Sequence, residues 1–188
     1  MNTNINIQPD RYYHIFNKAR NGENLFQEPD NYRYFLALYS KYIDSIADTY
    51  SWVLMPNHFH FLVKINREVA SKKPFQYWSN LFNAYTKAFN KKYNRIGPLF
   101  VSPYKRIEIS CLNQFKNVIH YIHRNPVHHG FCDHIIEYPW SSYQTIISVK
   151  ETKLKRDNVV GCFDGIDGFI SYHDDNVDYR SIEDLIKI

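Results

Sequence analysis

Hydrophobic residues change their spacing several times along this chain, and each change marks an element. Tyr12 to Ala19 is rich in aromatic and branched residues and predicts a first strand, with Asn21-Gly22 as a turn signal after it. From Pro29-Asp30 the spacing lengthens. Tyr32, Phe35, Leu36 and Tyr39 recur at helical intervals, and the pattern runs to about Ala47. Thr49 to Leu54 reads as a second strand, broken by Pro56-Asn57. The next stretch alternates: Phe59, Phe61, Val63 and Ile65 fall on one face, His58, His60, Leu62 and Lys64 on the other. So short a connection makes the two strands an antiparallel pair and places the histidine strand inside a small sheet.

Ser71 to Pro74 reads as a loop. Phe75 to about Tyr93 is a long helix with Trp78, Leu81, Phe82, Tyr85 and Phe89 on one side, stopped by Gly97-Pro98. Leu99-Phe100 and Tyr104 to Ile109 return to strand. Asn113 to about Arg124 forms a third helix, ended by Asn125-Pro126 because the residue before proline avoids the helical region. Ser141 to Ile147 is a short helix and Ser181 to Ile188 a last one. The order β-α-β-β-α-β-α predicts an α+β sandwich with helices packed on an antiparallel sheet.

Composition narrows the class. At 188 residues, 44% of them hydrophobic, the chain suits one domain with a small appendage. Its 16 Tyr and 13 Phe exceed what packing asks for. A net charge of +4 permits nucleic-acid binding. Cys111, Cys132 and Cys162 form no CxxC pair, so neither a zinc site nor a disulfide framework is indicated, and reduced thiols in the cytoplasm are expected. Met1-Asn2-Thr3-Asn4 lacks the plan of a signal peptide, and no apolar run approaches the roughly 18 residues of a membrane span.

The chemistry gathers around the histidine strand. Two imidazoles on one face of a strand make half of a site for a divalent ion. The third helix carries Tyr121 and Asn125, four apart and so on one face, with Cβ atoms roughly 5–6 Å from each other. The Asn125 amide oxygen would complete a site with His58 and His60, and the Tyr121 phenol would project beside it. An ion there would polarise a phosphodiester, and tyrosine is an accepted covalent nucleophile once its proton, with an ordinary pKa of about 10, is lost. Lys87, Lys91, Lys92, Arg95, Lys105 and Arg106 supply cations for a nucleic-acid backbone.

These residues resemble a known family. His58-Phe59-His60, within Leu54-Met55-Pro56-Asn57-His58-Phe59-His60-Phe61-Leu62-Val63, looks like the His-hydrophobe-His (HUH) motif of the single-tyrosine transposases of the IS200 type. Tyr121-Ile122-His123-Arg124-Asn125-Pro126-Val127 resembles the signature helix of their REP-associated branch, in which the tyrosine four residues before the Asn is the nucleophile. Gly97-Pro98-Leu99-Phe100, Lys105-Arg106 and Tyr138-Pro139-Trp140-Ser141-Ser142-Tyr143 are similar to that branch as well. The sequence departs from it at His128-His129, where a basic residue and a small one are common. The resemblance implies a ferredoxin-like catalytic domain over residues 1–148, with 149–188 an extension of unknown role. It also implies Mg²⁺ or Mn²⁺ as cofactor and single-stranded, hairpin-forming DNA as substrate. Either a monomer or a homodimer is compatible with it.

Each residue also has a plainer reading. A His-x-His pair is often structural, Tyr121 suits a packed aromatic, and Asn125 a helix stop. His120 and His123 point elsewhere around the helix, although His123 is within reach of substrate. His14 suits the core or its rim, and His128 and His129 a loop. Two rival functions remain: a domesticated nucleic-acid-binding protein without turnover, and a metal-dependent hydrolase of a small phosphorylated substrate that uses water and no tyrosine.

Overall fold

Pro56 and Asn57 turn the chain back between strands β2 (Ala47–Met55) and β3 (His58–Ile65), so that Met55 pairs with His58. The structure, a computed structural model, describes residues 5–69 and 73–174. Strand β1 (Tyr12–Lys18) pairs antiparallel with β3 on one side and with β4 (Lys105–Ile109) on the other. The sheet order is β2-β3-β1-β4, the ferredoxin-like arrangement, and the histidine strand is internal to it.

Strand alternation divides the molecule into two cores. Tyr13, Ile15, Phe59, Phe61, Val63 and Ile65 point to one side, where helices α1 (Pro29–Ile43) and α2 (Pro74–Lys92) cover them. Both helices begin with proline in the first turn, where its missing N–H costs nothing. Phe61 stacks on Tyr39 at 4.2 Å, and Trp78 is fully buried beside them. Phe16, Val53, Met55 and Leu62 point to the other side, beneath α3 (Leu112–His128).

The chain beyond α3 completes this second core. Helices α4 (Tyr143–Ile147), α5 (Arg156–Gly161) and α6 (Ile166–Asp174), with the turn between the last two, bury Tyr143, Val159, Phe163 and Phe169 against α3. Gly168 lets α6 approach, since a Cβ there would collide with the Phe163 carbonyl. The helix expected over Ser181–Ile188 lies outside the described residues. Among the described residues no helix is long and apolar enough to cross a membrane.

Three expected boundaries move. Helix α1 stops at Ile43, because Ala47 is taken into the sheet opposite Ile65. Leu99-Phe100 is no strand. Phe100 makes a single bridge to Ala19, between prolines 98 and 103 that have no N–H to give a ladder. Helix α3 does not end before Pro126 but runs through it to His128.

Candidate active site

The passage of α3 through Pro126 decides where Asn125 lies. Proline forfeits one helical hydrogen bond here, but only in the last turn. A Schellman cap closes that turn: Phe131 N–H donates to Pro126 O at 2.9 Å and Gly130 N–H to Val127 O at 3.0 Å, with Gly130 at φ 70°. Asn125 therefore stays helical, one turn after Tyr121, on the face turned to the sheet.

On that face the register sets up rows. Lys18 stands opposite His58, Phe16 opposite His60, and His14 opposite Leu62. Cross-strand partners share a face with Cβ atoms about 4.5–5.5 Å apart. Lys105 extends the second row beyond Phe16.

The structure brings the four expected centre residues together within one chain. His58 Nε2 is 2.9 Å from Asn125 Oδ1. The His58 and His60 ring centroids are 5.2 Å apart. The Tyr121 ring stands edge-on to His60, 5.4 Å away at 89°, and 6.3 Å from His14. Tyr121 is 8% exposed, and His60 and Asn125 are buried to 0% and 1%.

His14 was missed as a neighbour of the site. Its Nε2 lies 3.0 Å from His60 Nδ1, ring stacked on ring. The β1–β3 register brings it there: His14 shares a strand face with Lys18, two rows from His58. His129, expected as a loop residue, caps α3, and its ring lies 5.2 Å from that of His58.

Burial holds the site histidines neutral. Desolvation pushes His58 down to about 4, partly offset by its contact with Asn125, and pushes His14 down to about 3. His60, desolvated and beside other imidazoles, lies well below the usual range. Neutral imidazole is the ligand form.

This neutrality creates a mismatch that fits a cation. His58 faces two amide oxygens, Asn57 Oδ1 at 2.7 Å from Nδ1 and Asn125 Oδ1 at 2.9 Å from Nε2. A neutral imidazole has one N–H for the two, so one contact sets lone pair against lone pair. A metal between Nε2 and Oδ1 relieves it, and so does turning the Asn125 carboxamide over. His60 Nε2 and Asn125 Nδ2 are buried with no hydrogen-bond partner. Adjacent ligands of an octahedral ion with bonds of about 2.1 Å stand about 3.0 Å apart, close to the His58–Asn125 separation. The donor set is two imidazoles and a carboxamide; among the described residues no group of three His, Cys, Asp or Glu side chains is placed to hold a metal.

His123 lies apart from this cluster, against His173 and Ser142. It belongs to a buried chain of donors: Trp52 N–H to Ser142 Oγ at 2.8 Å, Ser142 O–H to His123 Nε2 at 2.8 Å, His123 Nδ1–H to His173 Nε2 at 2.9 Å, and His173 Nδ1–H to Phe169 O at 2.7 Å. The direction of the chain fixes both tautomers. It ties β2 and α6 to the helix that carries Tyr121 and Asn125.

The basic residues scatter. Lys105 lies on the site face, its ammonium 5.9 Å from the Phe16 ring. Lys87 and Lys91 are exposed on α2, on the opposite layer. Lys92 pairs with Glu28, and Arg95 holds Glu23 in a fork at 2.6 and 2.9 Å. Arg106 is buried between Phe75 and Tyr104 and donates to Ile5 O.

A cleft of about 480 Å³ opens beside His58. Two other clefts lie elsewhere: one of similar size along Tyr39, Asp44 and Asp48, and a smaller apolar one of about 300 Å³ along Tyr12, Tyr50 and Phe115.

No family model matches the chain, and no curated protein matches its sequence. Among solved structures, a REP-associated tyrosine transposase bound to a REP hairpin is similar to it, with a TM-score of 0.66 over 78% of this chain and 85% of that one, at 16% identity. At that identity the likeness is one of fold, and the fold it shares is the four-stranded antiparallel sheet with helices packed on it.

Proposed function

We propose that this chain is a metal-dependent single-stranded DNA endonuclease and strand transferase of the REP-associated tyrosine transposase type. His58, His60 and Asn125 are the ligands for Mg²⁺ or Mn²⁺, and Tyr121 is the nucleophile. The observation that carries this reading is the convergence of His58 Nε2, Asn125 Oδ1 and the His60 and Tyr121 rings in one buried cluster of a single chain.

The bound ion would polarise a non-bridging phosphate oxygen and offset the charge gathering on it. Tyr121 Oη loses its proton and attacks phosphorus; the P–O3′ bond breaks, and the departing 3′ oxygen takes up a proton. The product is a 5′-phosphotyrosine and a free 3′-hydroxyl. One phosphoester replaces another, so the step runs in reverse onto a new 3′ end. The packing of Tyr121 on His60 fixes the phenol against rotation, which is an entropic contribution to the attack. Of the cations, Lys105 is placed on the side where the strand would lie. Lys87 and Lys91 would serve only a hairpin arm reaching past the sheet edge.

The test is incubation with a labelled hairpin oligonucleotide and Mn²⁺, followed by denaturing electrophoresis. A shifted, denaturant-resistant band supports the proposal. Hairpin binding without any such band would favour the domesticated binding protein instead.

A further inference from the structure

The cleft beside His58 differs from the other two in its chemistry. It is lined by Lys18, Asn21, Asn24, Asn57, His129 and Phe131, together with small residues and His58 itself. No carboxylate lines it, whereas Asp44 and Asp48 line the cleft of similar size. Lys18 is half-buried and forms no ion pair among the described residues. It stands directly across the β1–β3 ladder from His58, so its ammonium and the His58 imidazole share one face.

Phe131 is 52% exposed, yet it is not loosely held. Its backbone N–H closes the cap of α3 on Pro126 O. The same cap that keeps Asn125 in the site therefore presents this ring at the cleft mouth. An ammonium, the carboxamides of Asn21 and Asn24 and a phenyl ring on an anchored backbone are what a nucleotide asks for: a cation for phosphate, amides for base edges and a flat apolar surface for the base. The cleft, of about 480 Å³, is of a size to take one nucleotide.

We propose that this cleft is a subsite for one unpaired nucleotide flanking the scissile phosphate, with Lys18 on its phosphate and Phe131 against its base. The assignment rests on the nuclease reading above. It makes Lys18, which lies outside the basic set expected from the sequence, the cation nearest the chemistry.

Binding of a fluorescent hairpin oligonucleotide with single-stranded flanks, read by anisotropy across a salt series, tests it. Lys18→Gln should lower the slope of log affinity against log salt by about 0.7–0.9, the share of one phosphate. Phe131→Ala should weaken binding about 5- to 150-fold. An abasic scan of the flanks should find one position where the lost base costs the wild type that same factor and costs Phe131→Ala nothing. Additive losses at every position, or wild-type binding by both variants, would overturn the subsite. Thermal midpoints equal to wild type show that the variants fold; should Lys18→Gln fail to fold, the Phe131 cycle alone decides. The adduct assay is a separate readout. An adduct without coupling removes the subsite and leaves the nuclease, and coupling without an adduct removes the nuclease and leaves a nucleotide-binding cleft.

Discussion

His58 Nε2 and Asn125 Oδ1 lie 2.9 Å apart across 67 positions of sequence, and when neutral His58 gives its one N–H to Asn57 Oδ1 the two atoms face each other with lone pairs. This pair should report an ion directly. In a Mg²⁺ titration followed by NMR, the His58 Nε2 and Asn125 side-chain amide signals should move together, and the shift should vanish in Asn125→Ala. Signals that stay still at saturating Mg²⁺ would exclude the pair as ligands.

His14 should act on metal affinity through His60. If His60 keeps its proton on Nδ1, it donates to His14 Nε2 at 3.0 Å and its own Nε2 is left with a lone pair. Partners of this kind are worth about 10–100-fold in metal affinity. His14→Phe should lose that much Mn²⁺ affinity in calorimetry, and His14→Gln, which restores an acceptor, should recover part of it. Equal affinities for both variants would rule out the hydrogen bond as the cause.

Acid should weaken the second core. His173 is held down to about 3 and His123 well below its usual range, both chiefly by burial. Unfolded, each takes a proton near pH 6.5. Between those values the unfolded state binds more protons, so stability is full above about pH 6.5 and is lost as pH falls toward about 3. Urea midpoints should decline through that window, and His173→Gln should lessen the decline. A midpoint unchanged from pH 7 to 4 would contradict the buried neutral pair.

The first core should fail through its aromatic stack. Phe61 is fully buried and lies against Tyr39. Phe61→Ala should cost about 3–5 kcal/mol in chemical denaturation. A loss under about 1 kcal/mol would mean the cavity collapses freely.

Much of this was legible in the chain. The alternation from Phe59 to Ile65 carries both the strand and the two-faced sheet, since period 2 admits no other placement of His58 and His60. Tyr121 and Asn125 share a face by helical spacing alone. Other features were not. The rule that ends a helix before proline loses at Pro126 because a glycine cap four residues later compensates, and that balance is not local. His14 is a site neighbour only through the β1–β3 register. Helices α5 and α6 escaped because their buried residues, Val159 in one and Phe169 and His173 in the other, are few and separated by charged or small ones. Lys92 and Arg95 read as free cations until Glu28 and Glu23, more than 60 positions away, were placed beside them.

The central claim is that Tyr121 and the His58–His60–Asn125 cluster form one catalytic centre. Mass spectrometry of the peptides released after reaction with a hairpin oligonucleotide and Mn²⁺ tests it most directly. The account predicts a nucleotide mass on the peptide containing Tyr121, absent in Tyr121→Phe and in His58→Ala, with DNA binding by Tyr121→Phe retained. A modification on another residue, or one that persists in Tyr121→Phe, would contradict it.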